Sequence, residues 1–139
     1  MIEMESLKES CVKADTEGGF LTAYREKKGR NTCGIIGKKN DYLINCTETK
    51  EGNMCLIQIA GTTKSKIEFE DKDEIINHLN DKMLNIYKKG PDKAITCKLK
   101  KSLFKKDEYG DQHSISMECN NGTLINIGKD SSIEVNAIN

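Results

Sequence analysis

Apolar residues change their period along this chain, and the changes mark out its elements. Met4, Leu7, Cys11 and Ala14 recur at helical spacing and form one stripe. Gly18-Gly19 breaks that run, and Phe20, Leu21 and Tyr24 resume a short apolar face before Gly29. The period then drops to two. TCGII and YLINC flank a turn at Lys38-Lys39-Asn40-Asp41 and read as a hairpin, followed by CLIQIA and SKIEFE. Cys55, Ile57 and Ile59 alternate onto one face, as do Ile67 and Phe69, as in half-buried strands. A second helix is predicted after Asp71, an N-cap candidate with Glu74 placed to complete a capping box. Its stripe is Ile75, Ile76, Leu79, Met83, Ile86 and Tyr87, and Gly90-Pro91 ends it. AITCKL and SISMEC then flank a charged turn around Asp107 to Asp111. Asn120-Asn121-Gly122 makes a tight turn, and TLINI and SIEVNAI follow.

The halves of the chain carry similar segments in the same order. LTAYREKKGRNTC (Leu21 to Cys33) resembles LNIYKKGPDKAITC (Leu84 to Cys97), NDYLINC resembles HSISMEC, and CLIQIAGTTKSKIEF resembles TLINIGKDSSIEV. The expected fold is therefore α+β, one globular domain over residues 1–139. It would be built from two pseudo-repeats, about 1–69 and 70–139, each a helix plus a four-stranded antiparallel sheet. That architecture resembles the cystatin-like fold. The resemblance implies an inhibitor-like protein that meets a partner with a sheet face and loops. The Gln-x-Val-x-Gly loop of cystatins is absent, and Gln58-Ile59-Ala60-Gly61 stands nearest to it.

Six cysteines change the picture further: Cys11, Cys33, Cys46, Cys55, Cys97 and Cys119. None lies in a C-x-x-C pair and the chain has two His, so zinc-site spacings are missing and no metal or cofactor is expected. An even count in a small domain points to disulfides and an extracytoplasmic location. Folding the first hairpin about Lys38 to Asp41 places Cys33 opposite Cys46 and Ile35 opposite Ile44. Folding the later one about Glu108 places Cys97 opposite Cys119 and Leu99 opposite Met117. The expected bridges are Cys33–Cys46, Cys97–Cys119 and, by elimination, Cys11–Cys55. The alternative is six buried thiols in a cytoplasmic protein. The opening residues MIEMESLKES are polar, which suits either a cytoplasmic chain or a mature secreted one.

Lys and Arg number 22 and Asp and Glu 22, and Trp is absent, so neither a global field nor stacking aromatics favours nucleic acid. No apolar run reaches membrane-span length. His78 and His113 read as solvated, which leaves a cysteine nucleophile without a base. The acidic run Glu68, Glu70, Asp71, Asp73 and Glu74 reads as helix capping and solubility. GGFLTAYREKKG lacks the P-loop Lys-Ser/Thr. Asn45-Cys46-Thr47 and Asn121-Gly122-Thr123 are glycosylation sequons. Lysines cluster at Lys98, Lys100, Lys101, Lys105 and Lys106. They read either as a docking patch for an acidic partner or as protection of an edge strand, with edge protection preferred.

The sequence thus predicts a secreted or periplasmic, non-catalytic protein-binding domain. Its contacts would be the hairpin tips: Lys38, Lys39, Asn40 and Asp41; Thr62 to Lys64; and Lys105, Lys106 and Tyr109. The alternatives are the extracellular part of a surface filament or adhesin, with the first helix continuing an anchoring helix, and a cytosolic interaction domain with reduced cysteines.

Overall fold

The computed structural model describes residues 4–61, 68–89, 93–106 and 113–136. The elements follow the order α1 (Met4–Thr16), β1 (Leu21–Lys27), β2 (Arg30–Ile36), β3 (Asn40–Thr49), β4 (Gly52–Gly61), α2 (Lys72–Lys89), β5 (Lys93–Lys106), β6 (His113–Cys119), β7 (Leu124–Gly128) and β8 (Ile133–Asn136). All eight strands pair antiparallel with their sequence neighbours in one sheet, so β1 and β8 are its edges.

Both helices form where the stripes require. Leu7, Cys11 and Ala14 are buried on α1. The Asp71 carboxylate accepts the Glu74 N–H at 2.9 Å, and Glu74 reaches back to the Glu70 N–H at 2.9 Å, closing the N-terminus of α2. The helices then take opposite faces of the sheet. Helix α1 packs on β1, β2, β5 and β6, over a core that includes Ile35, Tyr42, Ile44, Ile57, Leu99, Ile115, Met117 and Ile125. Helix α2 packs on β1 to β4, burying Ile75, Ile76, Leu79 and Met83 against Ala23, Leu43 and Ala60.

This arrangement corrects the expectation of two four-stranded repeats. There is one eight-stranded sheet, and α1 spans strands from both halves while α2 covers only the first. LTAYREKKGRNTC forms the β1–β2 hairpin, whereas its counterpart LNIYKKGPDKAITC covers the end of α2 and the start of β5. The segment at Phe20, Leu21 and Tyr24 runs into a strand, because its residues can be buried alternately under the two helices. In SKIEFE, Glu68 and Phe69 are not in a strand, and Phe69 packs on α2 instead. The single sheet does not reproduce a cystatin arrangement.

Three disulfides form: Cys11–Cys33, Cys46–Cys55 and Cys97–Cys119, with Cα separations of 6.1, 4.0 and 5.7 Å. Cys97–Cys119 is as expected; Cys33–Cys46 and Cys11–Cys55 are not. The reason is register. The β2–β3 turn centres one residue earlier than expected, which moves every cross-strand partner by two without changing its face. Cys33 therefore faces Ile44, Ile35 faces Tyr42, and Cys46 faces Asn31. The tight β3–β4 turn sets Cys46 directly against Cys55, and Cys33 is taken by Cys11 on α1. In β5 an irregularity between Leu99 and Lys101 shifts the pairing, so Leu99 faces Cys119 and Ser102 faces Met117, and Cys97 reaches Cys119 diagonally. Cys55 also stands opposite Cys97, so two bridges lie side by side across β3 to β6.

Candidate binding cleft on the uncovered sheet face

Helix α1 packs on β1, β2, β5 and β6 and helix α2 on β1 to β4, so among the described residues no helix packs on the outer face of β5 to β8. The residue pattern follows that difference. In β6, Ile115, Met117 and Cys119 point into the core, and Ser114, Ser116 and Glu118 alternate with them on the other face, with Ser114 and Glu118 half-buried and Ser116 buried. In β7, Ile125 and Ile127 are buried while Asn126 and Gly128 alternate with them. The Ser116 hydroxyl meets the Asn126 side-chain oxygen across the two strands. Leu103 and Lys105 of β5 are exposed, whereas Ser102 faces inward and bonds Ser10 of α1.

One wall of this face is built by two turns that meet. Ser131, in the β7–β8 turn, is fully buried and sits at φ +60°, a left-handed conformation unusual for serine. Its hydroxyl oxygen accepts the N–H of Lys39 at 2.5 Å and of Asn40 at 3.2 Å. Its carbonyl accepts the Asn40 side-chain amide at 3.2 Å and the Tyr42 hydroxyl. Gly37 lies so close that a Cβ there would overlap Ser131. These contacts over-determine the strained residue, as strained backbone requires. Burial pushes the Tyr42 phenol up to about 12. The neighbouring Asp130 carboxyl is held well below the usual carboxylate range, first by the Ser132 side chain, then by the Ser132 N–H, then by Lys39. Lys39 lies 3.0 Å from Asp130.

Between this wall and the strands lies a cleft of about 740 Å³, with Lys38, Lys105 and Lys129 among its lining cations and Asp130 and Glu134 its acids. His113 also lines it, stacked on Phe104 with ring centroids 5.6 Å apart. Its Nδ1 is buried without a hydrogen-bond partner among the described residues. His113 is thus half-buried rather than solvated. So is His78, which lies 5.3 Å from Phe69, because each imidazole lies against a phenyl ring.

The sequence-predicted site residues divide. Lys38 and Lys105, far apart in the chain, line the same cleft, and Lys39 stands beside it on Asp130. Asn40 is half-buried in the turn contact. Asp41 is not a surface contact: it is 0% exposed, receives Lys82 of α2 at 2.5 Å and accepts the Gly37 N–H at 3.3 Å. The backbone of Lys106 pairs with His113, while Tyr109 and Thr62 to Lys64 lie outside the described residues. The lysine-rich strand pairs with β4 over Lys93–Lys98 and with β6 over Leu99–Lys106, so its second half has a paired strand on one side only. Lys98 pairs with Glu51 at 3.6 Å and Lys100 with Glu118 at 3.4 Å. Sequence reasoning missed Ser114, Ser116, Asn126 and Ser131. The first three were signalled by their alternation with Ile115, Met117, Ile125 and Ile127; Ser131 carried no local signal.

Other chemistry is limited. All six cysteines are bridged. Among the described residues, no three His, Cys, Asp or Glu side chains are placed to hold a metal. No helix among them is long and apolar enough to cross a membrane. A second groove of about 420 Å³ runs beside α2, where Arg25 is held by Asp73 at 2.8 Å and Asn77 at 3.2 Å. Of the two sequons, Asn121 is exposed in the β6–β7 turn, whereas Asn45 lies within β3 and accepts the Thr32 hydroxyl at 2.8 Å. Comparison with protein-family models, curated proteins and solved structures finds no match.

Proposed function

We propose that this chain is an extracytoplasmic, non-catalytic binding domain, stapled by disulfides, that recognises a protein partner through the uncovered outer face of β5 to β8. The observation that carries the reading is the asymmetry of cover. Helix α2 covers β1 to β4, while the outer face of β5 to β8 has no helix on it among the described residues and keeps a polar cleft and an exposed Leu103. Three bridges across α1, the sheet and the β5 irregularity favour an oxidising compartment. They also suit a rigid surface, which loses little conformational entropy on binding.

The test has two arms. Intact mass with and without reduction, on protein recovered from its native compartment, reads the bridges; six free thiols would place it in the cytoplasm and end the extracytoplasmic reading. The second arm compares partners captured by the native protein, by Leu103→Asp with Ser116→Arg, and by Val12→Asp on the exposed side of α1. A partner lost only with the β5–β6 variant supports the assigned face. Equal capture by all three sinks it.

A further inference from the structure

We propose that the cleft over β5 to β8 receives an acidic segment of the partner protein, whose carboxylates meet Lys38 and Lys105. The inference rests on the reading above that this face binds protein, and it names the chemistry of what binds.

Position is the first argument. Lys105, in β5, and Lys38, in the β2–β3 turn, line the same cleft from two elements that do not pair with each other. Cross-strand pairing does not use Lys105. It stands opposite Ser114, and neither Lys105 nor Lys38 has an ion-pair partner among the described residues. Of the two acids among the described residues that line the cleft, Asp130 is engaged by Lys39 and Ser132, and Glu134 stands on the β8 side. Among the described residues the cleft thus holds two lysines, Lys38 and Lys105, without an ion-pair partner.

Preorganisation is the second. The Lys38–Asn40 turn is held by the Ser131 hydroxyl on two backbone N–H groups, so Lys38 projects from an ordered backbone. Ordering cost on binding falls accordingly. The cleft of about 740 Å³ is also lined by Ser114, whose hydroxyl suits the backbone of an extended peptide. Lysine ammonium groups favour carboxylates as point charges without demanding a fixed fork geometry.

The experiment uses the whole oxidised chain and a fluorescein-labelled decaglutamate peptide, with decaglutamine as its neutral counterpart, followed by anisotropy. Saturable binding of decaglutamate alone is expected, weakening as salt rises toward physiological strength. The double variant Lys38→Glu with Lys105→Glu is expected to lose roughly tenfold or more in affinity. Lys27→Glu with Lys50→Glu, at the opposite end of the sheet, should bind as the native chain does. Unfolding curves matched to the native protein qualify each variant for comparison. Unchanged binding by the Lys38/Lys105 variant overturns the proposal, as does equal binding of decaglutamine. Tighter binding of a single-stranded oligonucleotide than of decaglutamate would also overturn it, assigning the cleft to nucleic acid. Failure here with capture still lost by the β5–β6 variant removes the acidic segment alone. Decaglutamate binding without any face-dependent capture removes the protein-binding reading instead.

Discussion

The hydroxyl of Tyr42, in β3, donates to the backbone carbonyl of Ser131, 89 residues further along the chain. That bond fastens the last turn of the sheet to the β2–β3 hairpin, with both residues fully buried. Tyr42→Phe keeps the ring and deletes the donor, so it should cost about 1–2 kcal/mol, since the Ser131 carbonyl keeps only the Asn40 amide. Urea unfolding reads the change as a lower midpoint at constant slope. An unchanged midpoint would show that the hydroxyl adds no stability.

The same phenol makes stability depend on pH in the alkaline range. Its ordinary value is 10.0, and burial raises it to about 12 in the folded chain. The folded state therefore holds the proton more tightly than the unfolded state. The contribution is complete below the lower value and is lost as pH rises through the window between the two. The stability difference between native protein and Tyr42→Phe should shrink across that window and stay constant below it.

Asp41 and Lys82 form the most buried ion pair, with the carboxylate 0% exposed. Lys82→Ala leaves that carboxylate in the sheet with the Gly37 N–H, and should cost about 3–5 kcal/mol. Adding Asp41→Asn to Lys82→Met removes both charges and should recover a large part of the loss. A double variant no more stable than Lys82→Ala would show that the penalty is not one of unpaired charge.

Gly34, in β2, lies directly under side chains of α2. A Cβ at that position would lie 2.6 Å from Leu79 Cδ1 and 3.0 Å from Ile76 Cδ1, both on buried side chains of α2. Gly34→Ala should overpack the contact and cost about 1–3 kcal/mol by chemical denaturation. Gly61→Ala, where a Cβ would meet nothing within 4 Å, is the control and should be near neutral.

The bridges should rank by loop length. Cys11–Cys33 and Cys97–Cys119 each close 22 residues of separation and Cys46–Cys55 closes 9. Replacing both cysteines of a pair by serine should cost about 3 kcal/mol for either long loop and slightly less for the short one, if chain entropy dominates. Peptide mapping of the unreduced protein should recover these three pairs; recovery of Cys33–Cys46 would mean that the β2–β3 register is displaced by two residues.

Sequence alone determined what residues in one element settle among themselves. The stripes of α1 and α2 name the buried faces of both helices. Asp71 and Glu74 mark where α2 starts, and alternation in β3, β4, β6 and β7 names the strands. These follow from period and capping, which are local. Lys38 and Lys105 were also legible as candidate contacts, because exposed charge near a turn is visible in sequence. Only the tertiary structure decided what depends on distant partners. A one-residue difference in the β2–β3 turn reassigned Cys33 and Cys46, because register sets partners while leaving faces unchanged. Burial turned Asp41 from a tip residue into the acceptor of Lys82, a pairing no local pattern encodes. The helices took opposite faces, which left the outer side of β5 to β8 without a helix among the described residues. The contact of Ser131 with Lys39 and Asn40 then set Lys38 on the same cleft as Lys105, because packing across some ninety residues joined two turns that share no sequence signal.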